Sequence, residues 1–84
     1  PSATAVTSRT VVLAGCKEAD LVDLMNEFIE RHPGIAFSSL PHFTSEGTEV
    51  HLGLEGPPAL VEKGLQNLLE MLDKIGVPYE PPEE

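Results

Sequence analysis

Tryptophan is absent from these 84 residues, which carry a single cysteine, five basic residues, three Phe and one Tyr. Each shortage closes off a class of protein. Cys16 has no second cysteine to pair with, so a disulfide-stapled secreted scaffold is excluded and a reducing, cytoplasmic setting is the default expectation. Arg9, Lys17, Arg31, Lys63 and Lys74 stand against fourteen acidic residues, for a formal net charge of −9. Nucleic acids are held by clustered Lys and Arg that neutralise phosphates, so neither a nucleic acid nor an anionic membrane surface is an expected partner. No apolar run approaches the ~20 residues needed to span a bilayer. No basic segment followed by an apolar stretch opens the chain, so no signal peptide is expected, and a first residue that is Pro1 rather than Met fits a piece of a longer protein.

What remains is enough for one small aliphatic core, with 40% hydrophobic residues spread over a length that suits a single domain. Residues 32–56, HPGIAFSSLPHFTSEGTEVHLGLEG, organise it. Folding this stretch about Ser45 and Glu46 sets Phe43 opposite Thr48, Pro41 opposite Val50, Ser39 opposite Leu52 and Phe37 opposite Leu54. Ile35, Phe37, Val50, Leu52 and Leu54 then share one face, while Ser38, Leu40, His42, Glu49, His51 and Glu55 share the other. A hairpin with one buried and one wetter side is the expectation.

Around it, residues 1–8 are small and polar and read as a linker, and residues 10–14, TVVLA, read as a central strand buried on both sides. Residues 17–31 change to helical spacing, with Leu21, Leu24, Met25, Phe28 and Ile29 inward and a Pro33-Gly34 stop. After Gly56-Pro57-Pro58 a second helix is expected through Ile75, its stripe formed by Leu60, Val61, Gly64, Leu65, Leu68, Leu69, Leu72 and Ile75. Gly64 in that stripe implies close approach of helix to sheet, and Gly76 a helix cap. Val77 and Tyr79 are placed for a short last strand. The order β-α-β-β-α, with an optional sixth element, implies an α+β fold: a two-layer α/β plait, ferredoxin-like or KH-like, with two helices on one face of a three- to four-stranded sheet. The domain is expected over 9–77, with 78–84 as a flexible acidic tail.

Chemistry is harder to find. His42 and Glu49 face each other and His51 lies diagonal to His42 on the wetter face, so these three are the candidate metal ligands. The plainer reading makes Ser38, Leu40, His42, Glu49 and His51 an interaction face. His32 ends a helix, where an imidazole suits the dipole. Cys16 sits near a helix start, where backbone N–H groups lower a thiol pKa, but no base adjoins it. The turn around Ser45-Glu46-Gly47-Thr48-Glu49 is a distant echo of the phosphate-gripping Ser-Gly-Thr-Glu-Pro loop of phosphosugar mutase C-terminal domains. Here Glu46 splits the Ser-Gly pair, no Pro follows Glu49, and no basic residue lies between Arg31 and Lys63.

The residues Gly15-Cys16-Lys17-Glu18-Ala19-Asp20-Leu21, Arg31-His32-Pro33-Gly34-Ile35 and Ser38-Ser39-Leu40-Pro41-His42-Phe43 carry a resemblance. Over roughly Arg9 to Val77 the chain resembles the C-terminal accessory subdomain, KH-like or plait, of the CinA-type and FAD-synthase-type molybdopterin-binding-like proteins. Leu40 stands where that family often has Tyr. The resemblance implies an upstream α/β nucleotide-processing domain that carries the catalytic and phosphate-binding residues, with none of them on this stretch. The expected function is therefore a non-catalytic accessory or interaction domain without a cofactor, packing on its own upstream catalytic domain or on a second copy in a homodimer. The alternative is a small ligand- or metal-binding module on the open sheet face.

Overall fold

The computed structural model describes residues 5–16 and 18–80, ordered as β1 (Thr7–Ala14), a 3-10 turn (Glu18–Leu21), α1 (Val22–Arg31), β2 (Ala36–Thr44), β3 (Gly47–Gly56) and α2 (Pro58–Ile75). The three strands form one antiparallel sheet in the order β1-β3-β2. A strand inserted between two others joined through a helix is a split β-α-β unit, and both helices cover one side of the sheet. The chain is a small α+β domain of the α/β-plait kind.

The hairpin register is the one its alternation dictates. Thr44 pairs with Gly47 across the two-residue turn, and Phe43, Pro41, Ser39 and Phe37 meet Thr48, Val50, Leu52 and Leu54. Val50, Leu52 and Leu54 are buried, as are Val11 and Leu13 beside them in β1. Thr44 steadies the turn, its hydroxyl donating to the Gly47 carbonyl at 2.9 Å and accepting from the Glu46 N–H at 3.2 Å.

β1 departs from expectation in place and in length. It lies at a sheet edge and is buried on one face only, with Thr10 and Ala14 exposed. An apolar run such as TVVLA does not distinguish a central strand from an edge strand, because Val12 serves the wetter face at modest cost. The strand also starts at Thr7, since Gly56 and Glu55 of the longer β3 offer partners to Thr7 and Ser8, so the expected linker gives up its last two residues to the sheet.

Two hydrogen bonds establish which way the backbones point. Gly15 N–H donates to Thr48 C=O at 3.2 Å and Glu80 N–H to Val12 C=O at 2.9 Å. Main-chain groups of a strand alternate sides, so Thr48, Val50, Leu52 and Leu54 bond toward β1, while Glu49, His51 and Gly53 bond toward β2. Pro41, opposite Val50, therefore turns its nitrogen to the outer edge of β2, where the missing N–H breaks no ladder bond.

The expected single helix over 17–31 is divided. No side chain caps the start of α1, whose N-cap is Leu21, and the 3-10 turn before it occupies those first residues instead. Leu21, Leu24 and Phe28 are buried, but Ile29 is exposed and Met25 only half-buried. In α2, Pro57 is the N-cap with Pro58 following, and Val61 N–H opens the helix by donating to Pro57 C=O. Val61, Gly64, Leu65, Leu68, Met71 and Leu72 are buried, whereas the expected stripe members Leu60 and Ile75 are exposed. Met71, outside the expected stripe, is buried, and Ile75 is exposed as the last residue of the helix.

Gly64 does mark a close approach, to Ile35 at the entry to β2 and, beside it, to the end of α1. A Cβ there would stand 2.4 Å from Ile35 Cδ1 and 3.4 Å from Phe28 Cζ. Phe28 is the hub of this corner, its ring 4.9 Å from Phe37 and 4.4 Å from His32. Gly76, left-handed at φ 75°, closes α2: its N–H donates to Asp73 C=O and that of Val77 to Leu72 C=O. Residues 77–80 then run beside β1 without forming the expected strand. One hydrogen bond to Val12 and the packing of Val77 and Tyr79 on the core hold them, so the expected tail begins later than residue 78. Residues 81–84 of that tail lie outside the described residues.

Candidate functional site

The side of the sheet away from the helices is built by alternate residues of all three strands. Register places Val12, His51 and Leu40 in one cross-strand row and Ala14, Glu49 and His42 in the next. Ser38 lies across from Gly53, where a Cβ would meet the Ser38 hydroxyl oxygen at 2.7 Å. No helix among the described residues covers this surface, and Leu40, on its edge strand β2, remains 58% exposed. The five residues expected as an interaction face, Ser38, Leu40, His42, Glu49 and His51, all lie on it.

The imidazoles of His42 and His51 stack at 3.9 Å between centroids and 22° between planes, as diagonal cross-strand neighbours can. His51 Nε2 also sits 3.0 Å from Glu49 Oε1, both side chains being about one-third exposed. Ring-face contact organises the pair, and one ring nitrogen is already engaged by the carboxylate. Among the described residues no group of three or more His, Cys, Asp and Glu side chains is placed to hold a metal ion. The two histidines and Glu49 therefore meet as expected, yet as a flat platform rather than a chelating pocket.

The remaining candidates disperse. His32 Nε2 is 2.8 Å from Asn67 Oδ1, which ties the end of α1 to the middle of α2. Its role is tertiary as well as terminal, and a partner 35 residues away leaves no local signal. Cys16 is half-buried against the core; burial, and then the nearby Asp20 carboxylate, push its thiol pKa up, opposite to what a helix start alone would do. Tyr79 is likewise pushed up, by desolvation first and then by Asp73, whose carboxylate accepts from its hydroxyl at 3.4 Å.

Sequence reasoning missed a second feature. Between α1 and α2, on the side away from the sheet, lies an open groove of about 790 Å³. It lies where the flanks of the two helices face each other above the buried Leu24 and Met71. Recognising it would have required the helix separation, which helical spacing does not encode.

The geometry defines a small two-layer plait domain with one bare sheet face and a groove across its helix layer. Scans against protein-family models, curated proteins and solved structures find no match for the chain. No helix among the described residues is long and apolar enough to cross a membrane.

Proposed function

We propose that this domain is a non-catalytic interaction module whose open sheet face packs on another protein surface, either an upstream catalytic domain of the same chain or a second copy. The observation that carries this is the pair of rows Val12-His51-Leu40 and Ala14-Glu49-His42. They form a flat patch of mixed aliphatic and aromatic character, with the His51 ring on the central strand and a large exposed leucine, Leu40, on the edge strand beside it. Flat surfaces of this composition suit burial against a complementary surface better than capture of a small molecule, which concave sites favour. The resemblance to the accessory subdomain of CinA-type proteins supports the same role, with a nucleotide-processing domain as the parent's catalytic part.

The test is amide hydrogen exchange and sedimentation of the chain alone and joined to the segment that precedes it in its parent protein. Added protection confined to residues 38–42 and 49–53, abolished by Leu40→Asp, is the expected result. Protection absent from both forms refutes the reading. So does hydrolysis of nucleotide pyrophosphates, or deamidation of a pyridine nucleotide, by the isolated chain at enzyme-like rates. Zinc titration followed through the imidazole resonances addresses the ligand-module alternative: the proposal expects His42 and His51 to stay unmoved.

A further inference from the structure

The geometry points to the groove between α1 and α2 as a second docking surface, one that accepts a basic amphipathic helix from a partner protein. Asp20, Asp23 and Glu27 follow one another at helical spacing along the first wall, and Glu70 stands on the second. Two cations share the groove. Arg31 is taken by Glu27 through an ion pair, which leaves Lys74 against Asp20, Asp23 and Glu70. The rim is therefore net negative on a chain that is itself strongly acidic.

The floor is apolar apart from Asn67, whose side-chain oxygen is held by His32. Leu24 and Met71 close its base, and Ile75, 54% exposed, and the half-buried Val77 open one end of it to solvent. Ile75 belongs to an otherwise inward-facing helix yet turns toward the groove, and Met71 offers an unbranched side chain that adapts to what lies on it. An apolar strip between walls of net negative charge suits a helix that buries its own apolar stripe and sets Lys or Arg along the flanks. From Asp20 to Arg31 the wall runs about 16 Å at ~1.5 Å per residue, the length of roughly three helical turns of such a partner. An acidic or uncharged helix would meet the same floor with repulsion or no pairing at the rim. This surface is on the opposite side of the molecule from the open sheet face, so the two readings stand or fall separately.

The test uses an acetylated and amidated 14-residue peptide of Lys and Leu at helical spacing, and its Glu-Leu counterpart, titrated into the 84-residue chain while amide and methyl resonances are recorded. The Lys-Leu peptide is expected to saturate with shifts centred on Leu24, Met71, Ile75 and Val77, and the Glu-Leu peptide to leave them unmoved. The triple variant Asp20→Asn, Asp23→Asn, Glu70→Gln should weaken binding about tenfold or more. A triple of equal charge change elsewhere, Glu46→Gln, Glu55→Gln, Glu80→Gln, should weaken it less than about twofold. Ile75→Ser, at an exposed position, should weaken binding without changing the melting temperature. Equal effects of the two triples, or shifts that fall on the open sheet face, would overturn the inference.

Discussion

The two faces of the sheet share one alternation and diverge completely in fate. On the helix side, Val11, Leu13, Val50, Leu52 and Leu54 are shut away beneath Phe28, Val61, Leu65 and Leu68. On the other side, Leu40, His42, Glu49 and His51 are just as regularly placed but touch one another across the strands, with no helix among the described residues laid over them. The lesson is that periodicity states which residues keep company, whereas the supply of covering elements decides which company is buried. With two helices and one sheet, this chain has enough cover for a single side.

The comparison breaks first at the leucines. Leu52→Ala on the covered side should lose about 2–5 kcal/mol, through lost transfer energy and a cavity. That is a large part of what a domain this small can hold. Leu40→Ala on the bare side should change stability by no more than about 0.5 kcal/mol. Paired denaturant melts measure the contrast, and equal losses would mean that the bare side is covered in the free molecule.

A smaller effect sharpens the picture at the corner where α1, α2 and β2 converge. Gly64→Ala gains helix propensity, but its methyl collides with Ile35, itself buried and backed by Phe28. The expected net loss is about 1–2 kcal/mol, since overpacking outweighs the propensity gain. Ile35→Val in the same molecule should recover part of it, so a double-mutant cycle shows coupling. Asn67→Ala, which removes the partner of His32, should cost about 1 kcal/mol in the same melts.

The subtlest effect is chemical. Alkylation of Cys16 should follow a pH profile whose midpoint lies above that of a free thiol in solution, and Asp20→Asn should bring it part of the way down. The folded chain holds the thiol proton more tightly than the unfolded one, so this contribution is complete below the unfolded thiol value and is lost as pH rises through the folded one. An alkylation midpoint at or below the free thiol's would contradict the burial of Cys16.

How far the sequence could be read depended on how local each determinant was. The hairpin register was legible to the residue, because a two-residue turn and a period of two leave one consistent pairing. The open-face cluster followed from that register, including the diagonal meeting of His42 and His51. The helices were legible as elements but blurred in their inward stripes: Ile29 and Leu60 lie at stripe edges, Met71 is buried beside Leu60's edge, and Ile75 is exposed at the last residue of α2. The plait reading carried the order β1-β3-β2, but the edge position of β1 was not legible, as nothing in TVVLA says that only one neighbour will arrive. Contacts such as His32 with Asn67, and the groove between the helices, depend on elements distant in sequence and leave no local pattern.

Pro41 has a consequence for how this domain meets other molecules. An imino nitrogen halfway along the free margin of β2 leaves a gap in any row of donors there, and Glu80 already occupies an acceptor on the opposite margin. A neighbouring strand seeking to prolong the sheet finds both borders obstructed. Contacts are thereby steered to broad surfaces, where side chains choose the partner, and away from main-chain zippering, which any extended segment can enter.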